Sequence, residues 1–366
     1  MAELGELEVL FLLSFTEAPP SYVLAWLESR RISYRLSDET RRVIAEDEKA
    51  GSRVGIRTSL EATIRELEFR LESFSSRVDT LGEVFNITLL VAPVMLYSIG
   101  FFRPGVVQGT LPLLLVLNAV LVVLYRDLHP RVLSLPRSLK LATAPLLISV
   151  ASVAVLLYRG VETALTVQAI SCLPLAILAA RVLKTVENEL KENREILVRS
   201  LQSPGHVFRA VSPEALLAET ALGLSRSIRL TVYFSSVWGI EDPSLLLLTY
   251  EKIHRFHGNL VRKGFTSAVL SLVTLFLLGF ASAVVKSIFN RLPLESVVQW
   301  VPVEDPHGVQ FSIDIYLLAS VAVYSVGLSV LSTGSPAFTA LWLPIASLAI
   351  TLGSFFGGAL LGGGNV

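Results

Sequence analysis

Seven stretches of this sequence carry no Asp, Glu, Lys, Arg or His and are almost wholly apolar: 84–102, 106–125, 141–158, 163–180, 264–285, 315–332 and 337–361. Each is close to the roughly 20 residues that a helix needs to cross hydrocarbon. A helix pairs its backbone groups within itself, which lipid demands and water does not. The runs therefore predict an all-α, polytopic membrane protein with about seven transmembrane helices. Composition agrees. The 366 residues are 52% hydrophobic with a mean hydropathy of +0.61, and only 17% are charged, against about 25% in ordinary soluble domains.

The distribution of Lys and Arg predicts orientation. Residues 1–83, the loop 126–140 (Arg126, Arg131, Arg137, Lys140) and residues 181–263 hold 27 of the 31. Only Arg103, Arg159, Lys286 and Arg291 fall on the other side. Basic residues stay cytoplasmic, and short loops weigh most. The expected protein is a multi-pass component of the cell membrane with its N-terminus in the cytoplasm and its C-terminus outside. Its parts are a cytoplasmic helical module, 1–83; four spans, 84–180; a second cytoplasmic module, 181–263; and three spans, 264–366, with an external loop, 286–313. Trp300 and Val301 in that loop suit an interfacial helix or a lipid-edge anchor. The first module has eleven bases against sixteen acids, which argues against nucleic acid as a partner. MAELGELEVLFLLSF has acids where a signal peptide needs bases. The one cysteine, Cys172, lies inside the fourth run and reads as a small buried hydrophobe.

Local signals divide the first module. VLFLLSF and SYVLAWLES read as helices separated by EAPPS. Ser37 is placed to cap a helix whose first turn holds Asp38 and Glu39, and Gly51 to close it. Thr58 and Glu61 have capping-box spacing. The helix they would open carries an apolar stripe: Leu60, Ile64, Leu67, Leu71, Phe74, Val78, Leu81 and Phe85, in alternating steps of four and three. Nothing stops it before the first apolar run. Taken from Thr58 to Phe102 it would be about 67 Å long at 1.5 Å per residue, a rigid rod between water and lipid. The second module repeats this plan. RVLKTVENELKENREILVRSLQ leaves the fourth run as a charged helix. Ser212–Pro213 and Asp242–Pro243 then read as cap and first helical position of two more helices. The last of these feeds the fifth run at Gly264.

Chemical motifs are missing. There is no G-x-x-x-x-G-K-[ST], H-E-x-x-H, C-x-x-C or G-x-S-x-G. Glu251, His254 and His257 nearly share a helix face. They read as a solvated turn near the membrane surface, with a metal or proton site as the rival reading. No catalytic residue, metal or cofactor is expected. Asn118 and Gln168 are the strongest polar groups inside the runs, and Asp314 lies just before the sixth. A proton- or ion-coupled transporter usually places ionisable groups in mid-membrane. Pro112, Pro145, Pro174 and Pro344 read as tolerated kinks. The C-terminal GSFFGGALLGGGNV permits close helix packing, its simpler reading being a flexible external tail.

One stretch resembles a known family. Glu48-Lys-Ala-Gly51, the amphipathic helix from Leu60, and TLGEVFNITLLVAPVMLY at 80–97 are similar to the platform proteins of type IV pilus-like machines. These carry the F-protein domain of type II secretion, and the archaeal pilus and archaellum branch is the nearer one. In that branch a Glu before the span and a Pro inside it recur; here they match Glu83 and Pro93. The resemblance covers 55–100 most fully. The second module matches in layout only, and EAPPS stands where a small-Gly turn is usual. It implies a non-enzymatic platform that couples a cytoplasmic ATPase to assembly of pilin-like filament subunits and works as a homo-oligomer. Charge then supplies candidate ATPase contacts: Arg41, Arg42, Glu46, Asp47 and Glu48 beside Gly51, and Arg194 and Arg199 in the second module. A membrane transporter or channel is the alternative reading, and an unrelated membrane scaffold a third.

Overall fold

The structure, a computed structural model of the chain, describes residues 3–100, 103–130, 139–202, 211–240, 242–291 and 306–362. Among these there is helix and no strand, only the isolated bridges Leu4–Tyr34 and Thr16–Ile240. The helices are α1 (Glu6–Phe15), α2 (Pro20–Ser29), α3 (Asp38–Ala50), α4 (Val54–Asn86), a π turn (Ile87–Val91), α5 (Ala92–Gly100), α6 (Pro104–Leu128), α7 (Leu139–Arg159), α8 (Val161–Gln202), α9 (Pro213–Leu217), α10 (Gly223–Trp238), α11 (Pro243–Arg291), α12 (Pro306–Thr333), a 3₁₀ turn (Pro336–Phe338) and α13 (Thr339–Gly362). They form two compact units. Unit 1 is Met1–Ser73, Pro130–Pro136 and Arg181–Leu260; unit 2 is Phe74–His129, Arg137–Ala180 and Val261–Val366.

Among the described residues six helices are long and apolar enough to cross a membrane: Val54–Ile99, Gly105–Leu128, Val161–Ser200, Ser244–Ile288, Gly308–Thr333 and Pro336–Leu360. Each contains one of the expected runs or nearly all of it. The run 141–158 falls on a shorter apolar helix, Thr143–Arg159. The chain is an all-α, multi-pass membrane protein.

In unit 1 the residues of both polar modules share one core. Every residue of α1 from Leu7 to Phe15 is buried, as a helix that is apolar on all sides must be. Its main partner is α10. Sequence reading passed over α10, because Ser225, Ser227, Arg229 and Thr231 interrupt its apolar pattern; all four are buried. Ser227 Oγ donates to the Glu8 carbonyl. Arg229 is held by Asn193 Oδ1 at 3.0 Å, the Ala215 carbonyl at 3.1 Å and Glu192 Oε2 at 3.0 Å, and so joins α8, α9 and α10.

The expected caps form. Ser37 Oγ accepts from the Thr40 amide at 3.2 Å. Gly51 has φ +63°, a left-handed conformation that favours glycine. Ser212 accepts from Ala215, and Asp242 Oδ1 from the Leu245 amide at 3.0 Å. The start of α4 differs from expectation. It begins at Val54, and Thr58 lies inside it, its hydroxyl donating back to the Val54 carbonyl at 2.8 Å. No capping box opens this helix. Asp47 does that from the preceding helix, accepting from the amides of Gly55 at 3.2 Å and Ile56 at 2.7 Å.

The centre of unit 2 is α12. Its apolar window is 72% buried, against 22–44% for the other spans. It packs chiefly on α6 and α13, and α7 lies against α12 and α13. Glycines set the closest approaches. A Cβ at Gly353 would fall 2.0 Å from the Phe276 carbonyl oxygen, at Gly279 2.3 Å from that of Ile350, and at Gly357 2.5 Å from that of Phe280. So α11 and α13 pack backbone to backbone through Gly353-x-x-x-Gly357, as small-residue faces allow. The Gly-rich end is helical through Gly362 rather than a tail. Residues 363–366, the loop residues 131–138, and 292–305 with Trp300 and Val301 lie outside the described residues.

Helices in corresponding places of the repeated plan meet. Within unit 1, Lys252 Nζ reaches Glu68 at 3.0 Å; within unit 2, Lys263 Nζ reaches Asp79 at 2.7 Å. Both pairs are 184 residues apart in the chain, so in each unit α4 meets α11 at the same sequence offset. The helices that follow them, α6 and α12, also pair, as do α7 and α13.

Candidate functional site

Two sets of residues carry the sequence-based expectations: the stripe along α4 and the charged faces of unit 1. On the stripe, Leu60, Ile64, Leu67, Phe74, Val78 and Phe85 are buried, while Leu71 and Leu81 are half-buried. A seven-residue repeat drifts about 20° per heptad on a straight helix, which moves part of the seam toward its edge. Glu83 is exposed and Pro93 is buried. The helix passes Gly82 and Glu83 unbroken to Asn86.

Regular α geometry stops later than Gly82, at the π turn, where the Ala92 amide donates to the Ile87 carbonyl five residues back. The uninterrupted α-helix expected to Phe102 is therefore corrected at this point. Pro93 explains it: proline has no N–H for the residue four back and clashes with its carbonyl, and a wider turn relieves both. The turn also aims side chains. Beyond Phe85 the buried positions are Leu89, Pro93 and Tyr97, in steps of four. Steps of four drift around an α-helix; the extra residue of a π turn holds them on one face.

Around this turn lies a polar belt within unit 2. Asn86 Oδ1 accepts from Thr274 Oγ1 at 3.1 Å and Tyr324 Oη at 3.3 Å. Thr88 Oγ1 donates to Asn118 Oδ1 at 2.7 Å. The Phe85 ring stacks on Tyr324 with centroids 4.3 Å apart and meets Tyr125 edge-on at 5.9 Å. Gly327 of α12 makes room: a Cβ there would lie 3.1 Å from Val122 and 3.5 Å from Phe85. The belt thus ties the first apolar segment to α6, α11 and α12. Elsewhere in unit 2, Gln168 Nε2 donates to Ser149 Oγ at 2.8 Å. Asp314 stands in the third turn of α12 and pairs with Lys286 of α11.

In unit 1, Arg41, Arg42 and Glu46 are exposed on α3. Glu48 is half-buried and accepts from the Ser21 amide at 3.3 Å. Asp47 is buried, occupied with the α4 amides, and does not share the open face of Arg41, Arg42 and Glu46. Arg194 pairs with Glu251 at 3.4 Å and Arg199 with Glu195 at 3.2 Å. These two stand on α8, apart in sequence from the α3 group. His254 stacks on Tyr250 with ring centroids 5.8 Å apart. Among the described residues no group of three His, Cys, Asp or Glu could hold a metal.

Sequence reading missed one titratable group. Glu8 is 4% exposed in the core of unit 1. Its carboxyl lies over Gly5, where a Cβ would fall 2.7 Å from Oε2, and beside Gly223, the first residue of α10. Burial pushes its pKa up to about 7, against the lowering effect of the Glu8 and Gly5 amides. The signal was a carboxylate inside ELEVLFLLSF, a segment too apolar to have a solvent face.

No protein-family model matches this chain, and no curated protein and no solved structure matches it either.

Proposed function

We propose that the chain is a non-enzymatic membrane platform of a type IV pilus-like or type II secretion-like filament machine. Unit 1 faces the cytoplasm and docks an assembly ATPase, unit 2 lies in the cell membrane, and pilin-like subunits are the cargo. One observation carries most of this reading. α4, α8 and α11 each belong to both units, with the boundaries at Ser73/Phe74, Ala180/Arg181 and Leu260/Val261 inside unbroken helix. A flexible linker would isolate the two parts, whereas three continuous helices pass force or position. The exposed Arg41 and Arg42 on α3 are the favoured ATPase contact. The full chain in lipid nanodiscs should bind a purified assembly ATPase from the same organism, and reversing both arginines should weaken binding through on-rate and salt dependence. Unchanged affinity across a salt series would remove this face from the docking surface.

A transporter or channel is the second reading, favoured by the belt of Asn86, Thr88, Asn118 and Tyr324 and by the Lys286–Asp314 pair. Deleting the gene distinguishes the two. The platform reading requires loss of filaments with solute uptake intact, and the transporter reading requires the reverse.

A further inference from the structure

Unit 1 carries a row of aromatic side chains that stay exposed. Tyr22 and Trp26 of α2, and Arg30 at its end, stand at steps of four on one helix face. The Tyr22 ring lies 5.3 Å from that of Trp238, and the Trp26 ring 5.1 Å from that of Phe234, so the row passes from α2 onto the end of α10. Phe234 is buried beneath it, but Tyr22, Val237 and Trp238 are 46%, 57% and 43% exposed. Trp is highly buried on average, and exposed apolar side chains gathered into a patch mark a contact surface.

The two ends of the row carry opposite charge. At one end the Arg30 guanidinium lies over the Trp26 ring, 5.4 Å from its centroid. At the Trp238 end stands Glu17: its amide donates to the Gly239 carbonyl at 3.3 Å, and a Cβ on Gly239 would fall 2.7 Å from its Oε2. Arg30 and Glu17 are both exposed, and neither makes an ion pair among the described residues. Glu28 is two positions past Trp26, about 200° around the helix from it, and accepts from Tyr34 Oη at 2.7 Å.

That pattern decides what covers the row. An isologous contact turns a surface onto its own copy about a two-fold axis, so the two ends exchange places. Here the exchange sets Arg30 of each chain against Glu17 of the partner subunit, with the aromatic rings between. A bilayer fits less well, since anionic lipid is held by clusters of about four to eight basic residues, and an exposed carboxylate ends this row. We propose that the α2–α10 row is a two-fold docking surface for a second copy of this chain, with Tyr22 and Trp238 as its apolar contact and the Arg30–Glu17 pairs at its rim. Trp, Tyr and Arg are the residues that dominate binding energy at protein contacts. The contact does not depend on the platform reading and would serve a transporter as well.

The test is the oligomeric state of the full chain in detergent, read by sedimentation equilibrium. The wild type should dimerise, and Trp238→Ala should weaken the dimer about thirtyfold, as loss of a central contact does. Glu17→Arg and Arg30→Glu should each weaken it at least about tenfold, because each sets like charges together at both rims. Mixed in equal amounts, these two variants should pair with each other, since every rim contact then joins an Arg to a Glu. Both substitutions are on exposed side chains, and recovery in the mixture shows that the fold survives them. A wild type that stays monomeric leaves the row to a different protein and overturns the proposal. So do single variants that dimerise like the wild type, or a mixture that stays monomeric. In nanodiscs of brominated lipid, Trp238 emission, read as the signal lost in Trp238→Phe, should be unquenched; quenching would put the row on the bilayer and overturn the second-copy contact.

Discussion

Asp47 caps a helix to which it does not belong: its carboxylate accepts from the Ile56 amide at 2.7 Å, across the turn that separates α3 from α4. Gly55 completes the arrangement. A Cβ there would lie 2.9 Å from both Asp47 Oδ1 and Val43 Cγ1. The first orphan amides of the 33-residue α4 are therefore satisfied by α3. Replacing Asp47 by Ala should destabilise unit 1 by about 1–2 kcal/mol, the range for losing a good cap. Asp47→Asn should cost less. If Asp47 acts only as a cap, Asp47→Asn should leave ATPase affinity unchanged, and a large loss of affinity with an unaltered melting curve would return it to the docking face.

Glu8 predicts a pH dependence with a definite sign. Its pKa is raised by burial from 4.5 to about 7 in the folded chain, so between those values the folded state binds more protons than the unfolded. Stability is then greatest below about pH 4.5 and falls as pH rises through 7. The linkage amounts to about 3 kcal/mol at one pKa unit per 1.36 kcal/mol. Denaturant melts of the wild type and Glu8→Gln, monitored on unit 1 tryptophans, check this. The variant should lose this slope and melt higher than the wild type at pH 8. Parallel pH profiles would show that Glu8 is not the titrating group.

Gly353 predicts a steric limit in unit 2. A side chain there meets the Phe276 carbonyl and the Phe280 amide nitrogen, both backbone atoms that cannot swing aside. Gly353→Leu should force α11 and α13 apart and cost several kcal/mol, beyond the 1–3 typical of an overpacked core. Gly358, five residues on, has open space at its Cβ position. Gly358→Ala should be neutral or slightly stabilising. Thermal melts in detergent compare the two, and equal effects would contradict the backbone-to-backbone packing.

Orientation is testable by cysteine labelling in intact cells. A cysteine at Ser52 should resist an impermeant thiol reagent, and one at Ser296, which lies outside the described residues, should react. Labelling at Ser52 alone would invert the topology and remove a cytoplasmic ATPase from consideration.

The membrane-crossing plan was legible because lipid imposes one requirement on every residue of a span, and charge-free runs report it directly. Caps were legible where side chain and amide are neighbours in sequence, as at Ser37 and Asp242. The Asp47 cap was not, since its partners are eight and nine residues away across a turn, and Thr58–Glu61 offered a false local substitute. The α10 helix was hidden for a related reason: Arg229 and Ser227 are buried there with partners that α1, α8 and α9 supply, and Thr231 is satisfied by the Ser227 carbonyl one turn back. Pro93 was visible, but its consequence was not. Whether proline kinks a helix or widens one turn depends on the neighbours that hold Phe85, Asn86 and Thr88 in place.

The platform account stands on the continuity of α4 through Gly82, Glu83 and Val84. Proline at Val84 removes one backbone hydrogen bond and clashes with the preceding turn, costing about 3 kcal/mol or more in a helix interior. Val84 lies in unit 2 beside Phe85, so the kink shifts the packing of Phe85 on Tyr324 while the core of unit 1 and the other spans keep their apolar contacts, and insertion and ATPase binding should survive. Glu83→Gln keeps the helix and removes one exposed charge, so its effect should be mild. The decisive measurement is filament assembly in cells carrying Val84→Pro, alongside membrane insertion and ATPase binding by the same variant. The account predicts a protein that inserts and binds its ATPase but builds no filaments; normal filaments from Val84→Pro would contradict it.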